Sequence, residues 1–140
     1  MSKNKIIGIT ASCFDLCHPG HLEMLKYCKK YCNYLIVLLQ TDPSIDRKEK
    51  RKPIETIYER YVRLKNCKWV DEIIPYDTEN DLLNILQMLD YNIRFIGEEY
   101  KDKNFTGRDI PGHLLKCHFN PRRHSFSSTN LIKRINGEIK

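Results

Sequence analysis

Short apolar runs alternate along the chain with longer stretches of helical period. The runs Lys5–Thr10, Tyr34–Gln40, Glu72–Pro75, Arg94–Gly97 and Leu115–Phe119 read as strands. Between them Gly20–Tyr31, Glu55–Asn66 and Glu79–Asp90 read as helices, with a last one at Ser127–Asn136. Ile57, Tyr61 and Leu64 recur at helical spacing in the second of these, and Leu82, Leu83, Leu86 and Leu89 in the third. Strand–helix alternation of this kind predicts an α/β fold: a five-stranded parallel sheet with helices on both faces, in one domain over residues 1–140. Tyr34–Leu39 and Arg94–Gly97 are apolar enough for strands buried on both sides.

Two segments fall outside the alternation. Asp42–Pro53 carries the run Asp46-Arg47-Lys48-Glu49-Lys50-Arg51-Lys52 and reads as a mobile loop. Glu98–Gly112 reads as a second long loop. Ligands of open α/β sheets bind beyond the carboxyl ends of the strands. Both loops follow strands, so they are expected to gather at that edge.

A third segment joins them there. Cys13-Phe14-Asp15-Leu16-Cys17-His18-Pro19-Gly20-His21 follows the first strand directly. Its two histidines bracket a Pro-Gly turn where a strand ends and a helix begins. Such a turn offers a phosphate open backbone N–H groups and the positive end of a helix dipole. His18 and His21 are therefore candidate phosphate ligands, although a histidine at a helix start also serves as a cap. Near the other end, Arg122-Arg123-His124-Ser125-Phe126-Ser127-Ser128-Thr129 precedes the last helix, with Leu131, Ile132 and Ile135 as its apolar positions. One hydroxyl there is an ordinary N-cap. Three hydroxyls after two arginines exceed what a cap needs and suit a triphosphate. The lysine-rich run is a solvated face by default, and beside phosphates it is a candidate lid. Arg60 either points at this edge or pairs with Glu59. Asp15, Asp42, Glu98 and Glu99 follow strands and are candidates for holding Mg²⁺ with phosphates or binding a ribose hydroxyl.

Composition narrows the setting. At 41% hydrophobic and 30% charged residues the chain has the make-up of a soluble globular protein. A net charge of +6 favours anionic partners without choosing between small phosphates and nucleic acid. The lysine run lacks the interleaved aromatics of a stacking surface, which argues against nucleic acid. No apolar run approaches the ~18 residues of a membrane span, and Met1–Lys5 does not open a secretory signal, so a cytoplasmic location is expected. The six cysteines contain no C-x-x-C pair and are read as reduced thiols. A zinc site of Cys13, Cys17, His18 and His21 matches no common ligand spacing.

Taken in order, several groups of residues resemble the small nucleotidyltransferases of the H-x-G-H motif. They are Cys13-Phe14-Asp15 with His18-Pro19-Gly20-His21, Thr41-Asp42, Glu59-Arg60, Trp69-Val70-Asp71-Glu72, Gly97-Glu98-Glu99-Tyr100, and Arg122 with Ser127-Ser128-Thr129. Within that family the chain is most similar to glycerol-3-phosphate cytidylyltransferases, and it also looks like the heptose-phosphate adenylyltransferases. The resemblance implies a Rossmann-like fold, commonly a homodimer. It implies transfer of a nucleotidyl group from CTP or ATP to a phosphorylated small alcohol or sugar, with release of pyrophosphate. Mg²⁺ would accompany the phosphates, near Asp15. It implies catalytic roles for His18, His21, Arg122 and a loop lysine, Lys50 or Lys48. Nucleotide contacts are implied for Ser12, Cys13, Phe14, Asp15, Gly20, Gly97, Glu98, Ser127, Ser128 and Thr129, and substrate contacts for Asp42, Arg60, Asp71 and Glu99.

Some positions depart from the family pattern. Ser12 stands where Gly is usual, Ser125 replaces a Gly of the last motif, Phe126 an aliphatic residue and Ser128 a Thr. His124 lies in this variable stretch and is a candidate for acceptor choice. Trp69–Glu72 leans towards CTP with glycerol 3-phosphate, whereas Gly97–Tyr100 followed by Thr106-Gly107 leans towards ATP with a sugar phosphate. The alternative of another class is a binding module without turnover.

Overall fold

The computed structural model describes residues 5–122 and 125–138. Five parallel strands form one sheet: β1 Ile7–Ser12, β2 Tyr34–Gln40, β3 Glu72–Tyr76, β4 Ile93–Gly97 and β5 Cys117–Asn120. Their order is β3-β2-β1-β4-β5. The chain first walks outward from β1 to β3, then crosses back to place β4 on the other side of β1. That reversal makes β1 and β4 the switch point, where a crevice opens at the carboxyl edge.

Three helices cover the sheet: α1 Pro19–Cys28, α2 Ile57–Lys65 and α3 Glu79–Met88. Alternation along β2 assigns the faces. Leu35, Val37 and Leu39 pack with Leu25 and Cys28 of α1 and Leu64 of α2, while Ile36 and Leu38 pack with Leu82 and Leu86 of α3. Both faces are therefore covered, as the unbroken apolar run of β2 predicts. Thr56 and Thr78 start α2 and α3 with reciprocal capping boxes to Glu59 and Asp81, so the two helix starts are set locally.

Two elements differ from expectation. The loop after β4 contains a single 3-10 turn, Glu98–Tyr100, and a short helix α4, His113–Lys116. Leu115, expected in a strand, lies in α4 with 93% of its surface exposed; the apolar pair Leu114-Leu115 mimicked a strand start. The charge run after β2 is a series of tied turns. Ser44 donates to Asp42 Oδ1 through its N–H (2.9 Å) and hydroxyl (2.6 Å), Arg47 N donates to Pro43 O, and Glu79 N donates to Asp46 Oδ2. The last helix, α5, spans Ser128–Ile135.

Under the crevice lies Arg60, only 2% exposed. Its guanidinium donates to four backbone carbonyls: Cys13 at 3.0 Å, Gln40 at 2.6 Å, Thr41 at 2.6 Å and Glu55 at 3.2 Å. It thereby ties the ends of β1 and β2 to the start of α2. Replacement by Met strands several buried carbonyls at about 1–3 kcal/mol each, and Lys cannot span them with one ammonium. Arg60→Met and Arg60→Lys are expected to lose at least about 3 kcal/mol in denaturant unfolding.

Candidate functional site

The turn from β1 into α1 is strained and heavily tied. Phe14, Leu16 and Cys17 all have positive φ, at 51°, 63° and 22°, costing about 1–2 kcal/mol each for non-glycine residues. Asp15 holds the turn from below: its carboxylate accepts from Ile54 N at 2.9 Å and Glu55 N at 3.0 Å, with Arg51 Nη2 at 3.4 Å. Glu55 returns the contact, accepting from Leu16 N at 2.7 Å. The Phe14 ring is buried in the core and sits 5.1 Å from the His21 ring.

That turn delivers His18 as the N-cap of α1 and His21 at its third position. His18 Nδ1 accepts from Gly20 N at 3.1 Å, and His21 Nδ1 accepts from His18 N at 3.2 Å. The rings stack at 4.0 Å. Two histidines thus form a capping box in place of the usual hydroxyl and carboxylate. With each Nδ1 accepting a backbone hydrogen, the ring proton of each neutral imidazole sits on Nε2. The capping and phosphate-binding readings are compatible: one nitrogen caps, and the other carries an N–H donor.

An open cleft of about 1570 Å³ spans the carboxyl edge of the sheet, roomy by the standard of single-ligand sites. His18, Gly20, His21, Ser12 and Cys13 line it from the first turn, Lys50 and Arg51 from the loop after β2, Gly97 and Glu99 from the end of β4, and Arg122 with Ser127, Ser128 and Thr129 from the far end of the sequence. Lys50 lines it and Lys48 does not. Ser127 caps α5 by accepting from Asn130 N at 3.0 Å, and Ser128 donates to Asp15 O at 3.2 Å, which ties the two halves of the site together. Arg122 donates to Phe126 O at 2.6 Å. Burial raises the Cys13 thiol above its ordinary value, against its hydrogen bond at Asp15 and the charge of Arg60, so it stands in the cleft as a neutral thiol. His124 lies outside the described residues.

Several expected site residues do other work. Asp15 and Phe14 shape the turn and are not among the residues lining the cleft; the Asp15 carboxylate is occupied by contacts to the 51–55 segment. Arg60 spends its guanidinium on carbonyls. Asp42 accepts from Ser44, whose hydroxyl lowers its carboxyl below the ordinary range, and it does not line the cleft. Glu98 accepts from Arg122 N at 3.3 Å, joining the ends of β4 and β5. Asp71 lies at the opposite, amino edge of the sheet, where it accepts from Leu35 N at 2.8 Å and pairs with Lys29. Trp69 beside it packs on the core.

Other residues were not legible as site residues. Gln40, Glu79 and Arg94 line the cleft, beside Arg47 of the charge run read as a candidate lid. Glu79 accepts from Gln40 Nε2 at 3.1 Å and Thr106 Oγ1 at 2.9 Å, with Arg47 at 3.7 Å. Arg94 donates to Thr106 O at 2.6 Å and His113 Nε2 at 3.1 Å; burial, then the charge of Arg94, lowers His113 and keeps it neutral. Among the described residues, two buried side-chain polar atoms have no hydrogen-bond partner, Arg47 Nε and Asn120 Oδ1. Both belong to residues lining the cleft. No cluster of three or more His, Cys, Asp or Glu suited to a metal occurs among the described residues. No helix among them is long and apolar enough to cross a membrane.

Residues 9–134 match the family described as Cytidylyltransferase-like. The chain is 32% identical over 133 residues to a bifunctional protein HldE of Campylobacter jejuni, covering 94% of this chain and 28% of that protein. It is 31% identical over 118 residues to an FAD synthase of Thermococcus sibiricus, covering 84% of this chain and 78% of that protein. It thus spans a little over a quarter of the HldE relative. A lipopolysaccharide core biosynthesis protein from Thermoplasma volcanium has the same fold, with a TM-score of 0.65 at 23% identity over 88% of this chain and 99% of that one.

Because the histidines cap with Nδ1, substitutions can separate cap from imidazole. His18→Asn and His21→Gln keep an acceptor for the backbone N–H, and unfolding free energy is expected to stay within about 1 kcal/mol of wild type. His18→Ala loses about 1 kcal/mol. Inorganic tripolyphosphate is expected to raise the Tm of the wild-type protein, and both conservative variants are expected to lose that rise.

Proposed function

The chain belongs to the cytidylyltransferase-like family, and we propose that it transfers a nucleotidyl group from a nucleoside triphosphate to a phosphorylated small molecule with release of pyrophosphate. The observation that carries this reading is the two-histidine capping box at the sheet's switch point, which sets both imidazoles in the cleft lining at a helix N-terminus with their ring hydrogens on Nε2.

In this reading the triphosphate lies across the start of α1. The Nε2–H groups of His18 and His21 hold its oxygens and donate to the charge that grows in the transition state. Lys50, Arg51 and Arg122 supply positive charge, and the hydroxyls and open N–H groups at the start of α5 close the far side. An acceptor phosphate oxygen attacks the α-phosphorus in line. The new P–O bond forms as the bond to the β-phosphate breaks, and pyrophosphate leaves with the electron pair. An ionised phosphate needs no general base, and the neutral Cys13 thiol offers no nucleophile, so the protein acts by positioning and charge stabilisation. With Asp15 committed elsewhere, Mg²⁺ enters on the triphosphate as part of the substrate.

The donor–acceptor pair we favour is ATP with a sugar phosphate. Gln40, Arg47, Glu79 and the Thr106 segment offer polar groups to a polyhydroxylated acceptor. The Trp69–Glu72 stretch that leaned towards CTP lies at the far edge of the sheet and has no bearing on the cleft. CTP with glycerol 3-phosphate is the second reading, its nucleotide donor supported by the family's description.

The test is pyrophosphate release with Mg²⁺ across ATP and CTP, combined with sugar, polyol and amino-alcohol phosphates. Turnover is expected with ATP and a sugar phosphate, and no turnover by folded protein with any pair overturns the enzyme reading. His18→Asn and His21→Gln are expected to lower kcat by at least about a hundredfold, the scale of losing one transition-state donor.

A further inference from the structure

Arg94 is a buried charge without a counter-charge. It is 5% exposed, and no carboxylate among the described residues pairs with it. Its Nη1 donates to Thr106 O at 2.6 Å and to His113 Nε2 at 3.1 Å, both neutral acceptors. Gly107 lets the loop come this close: with φ at 91°, a Cβ there would lie 2.7 Å from Leu86 Cδ1 and 3.2 Å from Arg94 Nη1. Burial works against the cation, yet a guanidinium keeps its proton. An unanswered buried charge is destabilising and calls for an anion.

The part of the guanidinium that is left over suits one. Arg94 Nε and Nη2 make no hydrogen bond among the described residues, and they are not among the sealed orphans, which are Arg47 Nε and Asn120 Oδ1. They therefore keep contact with the cleft that Arg94 lines. Nε and Nη2 form the side-on edge of the fork, two parallel donors matched to a carboxylate or a phosphate.

Tyr76 adds a third donor. It lines the cleft and is 6% exposed, and its hydroxyl is likewise unpartnered among the described residues without being sealed. Tyr76 and Arg94 are near enough for the charge of each to act on the other. Burial, then the charge of Glu79, raises the phenol above its ordinary value, so it keeps its hydrogen. Glu79 does not neutralise Arg94, because its oxygens take Gln40 and Thr106, with Arg47 beside them.

This cluster is separate from the histidine pair. Tyr76 packs with Leu82 and Leu86 on the α3 face of the sheet, where Gly107 also meets Leu86 and Arg94. His21 lies against Phe14, which packs with Leu25 of α1 on the other face.

We propose that the Nε–Nη2 edge of Arg94, with the Tyr76 hydroxyl, binds a second oxyanion of the acceptor, a carboxylate or a phosphate other than the one that reacts. The proposal rests on the nucleotidyl-transfer reading and narrows its acceptor to a doubly anionic sugar phosphate.

The test uses inorganic phosphate as the probe, with the whole chain under saturating tripolyphosphate, read by equilibrium dialysis at fixed salt and pH. Wild type is expected to take up a further equivalent of phosphate. Arg94→Gln is expected to weaken that uptake at least about tenfold and Tyr76→Phe about threefold. Pyrophosphate release then compares a sugar monophosphate with its bisphosphate and with a carboxylate-bearing sugar phosphate. One of the doubly anionic acceptors is expected to show a kcat/KM at least about tenfold higher, which identifies the oxyanion. Phosphate uptake that tripolyphosphate abolishes, or uptake undiminished in folded Arg94→Gln, overturns the subsite. Where Arg94→Gln does not fold, the wild-type stoichiometry and Tyr76→Phe decide. Equal kcat/KM for all three acceptors overturns the assignment to the acceptor while nucleotidyl transfer stands. A further equivalent of phosphate without pyrophosphate release from any pair overturns the reaction and its acceptor, and the oxyanion site alone survives.

Discussion

A single buried cation organises the working edge of this protein. Arg60 sits under the ends of β1 and β2 and spends its fork of donors on carbonyl oxygens at strand ends, where regular ladder bonding runs out. Such oxygens are costly to bury unpaired, so the guanidinium answers a need created by ending two parallel strands side by side. It also fixes where the chain leaves each strand. The turn that follows β1 holds three non-glycine residues in left-handed conformations, and nothing local favours them. They persist because Arg60 grips the backbone at Cys13, Asp15 takes the N–H groups of Ile54 and Glu55, and Glu55 answers at Leu16. The strain is balanced by an over-determined set of polar contacts.

The outcome of that strain is the orientation of two imidazoles. A serine or aspartate at the cap would complete α1 equally well. Histidine adds a second nitrogen on a rigid ring, and the cap fixes which nitrogen has the hydrogen. Under the proposed function, stability and chemistry share one hydrogen-bond arrangement, the kind of shared duty that makes a preorganised donor effective.

Much of this was legible in the sequence. The apolar run of β2, the helical spacing of Leu82 and Leu86, and the caps at Thr56 and Thr78 are local signals, and local signals survive folding. His18 and His21 were legible because their spacing and the Pro-Gly turn between them are local as well. What the sequence hides is which charged residues are turned inward. Arg60, Asp15 and Asp71 carry the same side chains as true ligands, and it is partners tens of residues away that occupy them. Asn120 and Glu79 were passed over for the converse reason: each looks ordinary until distant segments surround it. Leu114-Leu115 misled because two leucines carry no period of their own.

The last helix stands apart from this network. None of the residues of α5 is buried, and the Ser128 hydroxyl on Asp15 O fastens its start to the first turn. A segment with so little buried surface can detach at far less free energy than the sheet needs to unfold. The hydroxyls at 127–129 thus ride on an element whose order is decoupled from that of the core. A ligand that recruits them must hold the helix in place, and part of its gross interaction energy is spent on that ordering. Affinity at this end of the cleft then reports folding of the tail as much as contact with it. In hydrogen exchange, such coupling appears as protection of the 128–135 amides that rises with ligand occupancy while the sheet is unaffected.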